Sequence, residues 1–197
     1  MSLYIYMGPM YSGKTTSLIQ QYHNQTNINK IIIDYNIQPI SKTNNEASVY
    51  NSNMETHDGI VAPSVYKCKH LDSLKDQTNY QIYSKDTLDY YYQCFAHAEH
   101  VYINECQFFP DLKSFVLELL RLNINVYLFG LDGDYKQKMM GQTFELIPYA
   151  TKIKKLQGKC SKCHKTSVIS HRITNDTQVY LPDETAYIPL CLTCYNY

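Results

Sequence analysis

A chain of 197 residues with 44 % hydrophobic content is long enough to bury one sizeable core and to carry a small appended module. Lys plus Arg and Asp plus Glu number 18 each, so the bulk charge points to neither nucleic acid nor an anionic membrane and leaves room only for a local basic site. No apolar run reaches the length of a membrane span and the N-terminus lacks the order of a signal peptide, so the expectation is a soluble cytoplasmic protein whose seven cysteines stay reduced.

Ser2 to Met7 is short, apolar and aromatic and reads as a buried strand, followed by good helix formers from Thr15 to Gln25. Lys30 to Tyr35, "KIIIDY", reads as a second buried strand. Residues 36–64 are Asn-rich and broken by Pro39, Gly59 and Pro63, which predicts a loop with at most a short strand near Ser48 to Asn51. Ser84 or Asp86 caps a predicted helix over Leu88 to Ala98. Val101 to Glu105 is a third strand. Pro110 then suits the start of a helix whose apolar positions are Leu112, Phe115, Val116, Leu119 and Leu120. Val126 to Gly130 is a fourth strand. Strands alternating with helices predict an α/β domain with a parallel sheet over residues 1–155. Residues 156–197 change to short alternating segments and predict a small β module.

Gly8, Pro9, Met10, Tyr11, Ser12, Gly13, Lys14 and Thr15 fit the pattern G-x-x-x-x-G-K-[ST] and stand between a predicted strand and a predicted helix. Backbone N–H groups of such a turn close around phosphate oxygens, Lys14 reaches the outer phosphates, and the Thr15 hydroxyl ligates Mg²⁺. A nucleoside triphosphate is the expected ligand. Glu105, where the chain leaves its strand, is the candidate carboxylate beside it. Cys160, Cys163, Cys191 and Cys194 form two C-x-x-C pairs, the spacing of a closed structural Zn²⁺ site with four thiolates. Cys68, Cys94 and Cys106 are scattered and are expected in or near the core, and His164 is expected at the surface.

Taken in order, "GPMYSGKT", "THDG", "INECQFFPD", "LDGDYKQKMMG" and the late cysteine pairs resemble the thymidine kinase family of vertebrate cytosol, bacteria and large DNA viruses, distinct from the herpesvirus type. The resemblance implies a RecA-like P-loop domain and a zinc-stapled domain with a lasso loop over the nucleoside. It implies transfer of the γ-phosphoryl group of ATP to the 5′-hydroxyl of thymidine in nucleotide salvage, by a homodimer or homotetramer under feedback by thymidine triphosphate, in the host cytoplasm if the source is viral. It assigns Glu105 as general base, Met10, Phe108, Leu131 and Tyr135 as walls of the thymine pocket, and Ser170 and Tyr187 as groups near the base. Gln107 supports the Phe108 segment, and Asp58 lies near the phosphates or metal. Three departures stand out: Asn104 where the family usually has Asp before the catalytic Glu, Pro182 and Asp183 where the lasso usually has two glycines, and Gly59 where relatives often have a basic residue. Asn104 is therefore expected beside the Mg²⁺ with a raised requirement for that ion. The competing readings are a P-loop ATPase with a nucleic-acid-binding zinc ribbon, motivated by Lys152, Lys154, Lys155, Lys159, Lys162 and Lys165, and a catalytically silent nucleotide-binding relative.

Overall fold

The computed structural model describes residues 1–26, 28–35, 50–55, 61–72, 74, 95, 97–179 and 184–196. Seven described strands make one sheet: β1 (Leu3–Gly8), β2 (Lys30–Tyr35), β3 (Tyr50–Glu55), β4 (Val61–Cys68), β5 (His100–Ile103), β6 (Asn125–Leu131) and β7 (Lys152–Lys155). Their order is β3-β4-β2-β5-β6-β1-β7, all pairs parallel except the antiparallel edge pair β3 and β4.

Two helices explain the alternation of the buried strands. On one face, α1 (Lys14–Asn24) presses Leu18 and Ile19 onto Tyr6, Ile32, Tyr102, Tyr127 and Phe129. On the other, α2 (Leu112–Arg121) lays Leu112, Phe115, Val116 and Leu119 on Leu3, Ile5, Val101, Ile103, Val126 and Leu128. Successive residues of β1, β5 and β6 thus serve opposite faces, and a sheet covered on both sides needs apolar groups at every position. Both helices fall within a residue or two of their predicted positions. The helix expected over Leu88 to Ala98 lies largely outside the described residues, although Phe95 is buried edge-on against Phe115 at 5.6 Å.

Three strands depart from the prediction. Residues 36–64 read as loop with a short strand near Ser48 to Asn51; β3 begins at Tyr50, inside that stretch, but runs on to Glu55, and β4 already starts at Val61. The signal was hidden by Pro63. Met54 pairs with Ala62 and Ser52 with Val65, so Asn53 faces Pro63 and Ser64 together in a bulge, and the parallel ladder to β2 begins only at Val65. A bulge tolerates a residue without an N–H to donate. β7, "KIKK", is exposed along its length and carries no burial signal; it exists because it pairs with Tyr4 to Met7 of β1.

Beyond β7, β8 (Gly158–Lys159) pairs with β9 (Thr166–Ser167), and β10 (Ile169–Arg172) with β11 (Tyr187–Leu190), before the short helix α3 (Leu192–Asn196). These short strands are the small β module expected from the alternating segments of residues 156–197.

Candidate functional site

The carboxyl edge of the sheet gathers the motifs. β1 runs into the glycine turn, where Gly13 takes the left-handed conformation at φ 74° that opens α1. Lys14, buried in the first turn of α1, folds back so that its ammonium donates to the Pro9 carbonyl at 2.7 Å. Ser12 Oγ is buried with no hydrogen-bond partner among the described residues. A buried hydroxyl without a partner is costly, and an anion seated in the turn supplies the missing acceptor. The turn is also tied to the small module, because the Met10 N–H donates to Ser170 Oγ at 2.8 Å and the Leu156 N–H to the Met7 carbonyl at 2.7 Å.

At the end of β5, Glu105 is held at φ 48°, a left-handed conformation rare for a residue with a side chain and the kind of local strain found at functional sites. Gln107 supports it. The Gln107 amide donates to Glu105 Oε2 at 2.6 Å while its Oε1 accepts from the Leu131 N–H at 2.9 Å, so β6 sets the aim of the β5 carboxylate. Gln107 was expected to support the Phe108 segment, but its bonds go to Glu105 and Leu131. Gly141 closes the arrangement from the other side: at φ 61° its Cα approaches so closely that a Cβ would come within 2.2 Å of the Gln107 carbonyl oxygen. The glycine ending "LDGDYKQKMMG" is thus required by the segment that carries Glu105. Between them Cys106 is a core thiol; burial pushes it up to about 12, against a bond with Thr143 and the nearby Lys14 ammonium.

Asn104 does not stand alone. Its side-chain amide donates to Asp34 Oδ1 on the neighbouring β2 at 2.9 Å, and both residues are buried. Sequence reading missed Asp34, which looked like one polar residue at the end of an apolar strand.

The residues expected to wall the pocket stand at or after the carboxyl ends of β1, β5 and β6. Phe108 lies against Tyr35 with ring centroids 5.2 Å apart, Leu131 is buried at the end of β6, and Met10 is half-buried in the turn. Tyr135 sits on a loop after β6 that Asp134 pins through bonds from the Lys136 and Lys138 N–H groups, each 2.8 Å. Its ring carries the Arg172 guanidinium at 3.8 Å, and the same guanidinium lies 5.0 Å from the Tyr187 ring and donates to the Tyr187 hydroxyl. Arg172 also donates to the carbonyls of Asp176 at 3.1 Å, of Val179 at 3.2 Å, and of Gln178. It therefore joins the Tyr135 loop, Tyr187 and the chain after β10. Sequence reading passed over Arg172, since one arginine in a short strand carries no pattern. Asp58, Gly59, Pro182 and Asp183 lie outside the described residues.

Cys160 and Cys163 come from the turn between β8 and β9, and Cys191 and Cys194 from the end of β11 and the first turn of α3. The four sulfurs lie within 4.8 Å of one another, with Cys163 and Cys191 3.5 Å apart. That is too far for a disulfide and close to the ~3.8 Å edge of a tetrahedron with Zn–S bonds of about 2.3 Å. Against its burial, backbone N–H groups of Cys191, Cys163 and Lys162 draw the Cys160 thiol down, while the crowded sulfurs of Cys163 and Cys191 push the Cys194 thiol up, so the four thiols share their protons unequally. The donor set fits Zn²⁺ and, with four protein sulfurs, leaves no open position. His164 is exposed, as expected.

A G-x-x-x-x-G-K-[ST] turn between β1 and α1 of a parallel sheet, with a strained carboxylate at the end of a strand two places away, fits the P-loop class of nucleotide-binding proteins, here with a four-cysteine module attached to the turn itself. A family model described as "Thymidine kinase" matches residues 1–195, and the chain belongs to that family. It is 31 % identical over 199 residues to the thymidine kinase of Amsacta moorei entomopoxvirus, covering 100 % of this chain and 98 % of the viral one. It is 28 % identical over 191 residues to that of Oryza sativa subsp. japonica, covering 96 % of this chain and 64 % of the plant protein. With that of vaccinia virus strain Western Reserve the identity is 26 % over 190 residues, covering 96 % and 93 %.

Proposed function

We propose that this protein transfers the γ-phosphoryl group of ATP to the 5′-hydroxyl of thymidine, with residues 1–155 holding the nucleotide and residues 156–197 closing over the nucleoside. The observation that carries the reading is Glu105, strained at the end of β5 and held by Gln107, on the same carboxyl edge of the sheet from which the glycine turn leaves β1.

The phosphates of ATP take the N–H groups of residues 11–15 and the buried Ser12 hydroxyl, and Lys14 exchanges the Pro9 carbonyl for a phosphate oxygen. Thymidine lies among Met10, Phe108, Leu131 and Tyr135, with Ser170 and Tyr187 on the module side. Ser170 anchors the Met10 backbone and so couples the base pocket to the phosphate turn. As the 5′-oxygen bonds to the γ-phosphorus, the bond to the β-phosphate oxygen breaks, ADP leaves, and the hydroxyl proton passes to Glu105. Thr15 and Asn104 offer hard oxygen donors that would hold Mg²⁺ beside the phosphates. When bound, that ion supplies charge neutralisation on the β and γ oxygens.

Glu105→Gln keeps the shape and removes the basic carboxylate. We expect kcat to fall about 10² to 10⁴-fold with the affinities for both substrates retained. A variant within a few-fold of wild type would remove Glu105 as base. Wild-type protein that hydrolyses ATP only when nucleic acid is added, with no thymidine phosphate formed, would overturn the kinase reading itself.

A further inference from the structure

Resting on the kinase reading, we infer that Asp34 supplies the negative charge of the metal side of the site, which in this chain stands one strand away from Asn104. The expected consequence of Asn104 was a carboxylate lost from the end of β5 and a raised need for Mg²⁺. The structure places a carboxylate 2.9 Å from that amide, on β2, buried to the same degree.

Two observations orient the pair toward the phosphates rather than into the core. First, Ile32 and Tyr102 both pack on the α1 face of the sheet, and Asp34 and Asn104 follow each of them by two residues, which puts both side chains on that face in extended chain. α1 begins at the glycine turn with Lys14 and Thr15, so the pair occupies the face from which the phosphate-binding helix starts. Second, the hydrogen bond fixes the sense of the Asn104 amide. Its N–H₂ end is committed to Asp34, so its carbonyl oxygen is the end left to accept from a water of the metal shell or to meet the ion directly. Asp34 thus does two things at once: it brings a unit negative charge within one hydrogen bond of the shell, and it keeps Asn104 from presenting its donor end to a cation. Asp34 acts through Asn104 and is a positioning residue. The same geometry changes what Asn104→Asp should do. A second carboxylate at 2.9 Å from the first would repel it and retain a proton, so the substitution adds little usable charge.

The test uses the full chain with a non-hydrolysable ATP analogue and titrates Mn²⁺, reading free ion by electron paramagnetic resonance. Wild type, Asp34→Asn, Asn104→Asp and the exchanged pair Asp34→Asn with Asn104→Asp are compared, and binding of the analogue without metal is measured for each. Asp34→Asn is expected to weaken Mn²⁺ by roughly 10 to 100-fold without weakening metal-free binding of the analogue, which loses a repulsive charge. The exchanged pair is expected to return within a few-fold of wild type, a rescue that a merely structural role for Asp34 would not produce. Wild-type Mn²⁺ affinity in Asp34→Asn, no recovery in the exchanged pair, or a tenfold gain in Asn104→Asp alone would each overturn the assignment. Phosphate transfer from ATP to thymidine is measured in the same wild-type preparation. If transfer is intact and the titrations are flat, Asp34 is wrong and the kinase reading stands; if no transfer occurs at any metal concentration, the kinase reading fails first.

Discussion

Residues 3–155 and residues 158–196 are held together by different physics. In the first region Ile5, Leu18, Tyr102, Phe115, Phe129 and their neighbours are removed from water on both faces of a seven-stranded sheet. Such burial is non-directional and redundant, each side chain contributing about 1.5–3 kcal/mol. In the second region the core cluster is Cys160, Leu190 and Cys191 with a few half-buried neighbours, and the strands are two to four residues long. Besides two short strand pairs and the buried Ile169, Ala186 and Tyr187, its described segments are tied by point contacts: four sulfurs at one end and the Arg172 guanidinium at the other. The proposed site lies along the seam, because Met10 of the glycine turn is bonded to Ser170 of the module and Arg172 stacks on Tyr135 of the sheet domain. A redundant region should lose stability gradually and keep its site, whereas a region built on few contacts should lose a whole function when one is removed.

The largest expected effect tests the sulfur end. Cys191→Ser should abolish binding of one Zn²⁺ per chain, an interaction worth ~10–16 kcal/mol in small structural zinc sites. Thymidine affinity should fall far more than ATP affinity, and amide exchange should accelerate in residues 158–196 but not in β1, β5 and β6. Metal analysis with exchange mass spectrometry checks this; equal acceleration in both regions would erase the distinction.

Phe115→Ala tests the redundant side. Removing a fully buried ring that packs on Phe95 should cost about 3–5 kcal/mol and lower Tm by roughly 10 °C, with zinc content and the KM for thymidine unchanged below the transition. Loss of zinc in the folded variant would show that the two regions are one cooperative unit.

Arg172→Ala, the smallest of the three in energy, should be the most selective. The guanidinium joins Tyr187, Tyr135 and three backbone carbonyls, and hydrogen bonds to a charged group contribute about 1.5–3 kcal/mol. The KM for thymidine should rise roughly 10 to 100-fold, with the KM for ATP, zinc content and Tm near wild type. Arg172→Lys keeps the charge without the planar fork and should recover only part of the loss. A drop in kcat alone, at unchanged KM, would place Arg172 in the chemistry instead of the pocket.

What the sequence determined by itself was whatever local pattern can carry. β1, the glycine turn and α1 were legible because strand, turn and helix are contiguous and each announces itself in residue type; α2 was legible from its apolar spacing, and the two cysteine pairs from theirs. Tertiary structure decided the rest. Pro63 looked like a strand breaker, and only the bulge opposite Asn53 makes β4 a strand; "KIKK" has no face to bury, and only the free edge of β1 makes it β7. The site divides the same way. Glu105 was readable at a strand end, but its strained backbone, its hold through Gln107 and the need for Gly141 arise from segments 24 and 34 positions apart meeting at Gln107. Asp34 with Asn104, 70 positions apart, and Arg172 with Tyr135 are invisible for the same physical reason. A single polar residue shows no periodicity, and its partner is chosen by sheet order and packing, which no local window of the chain contains.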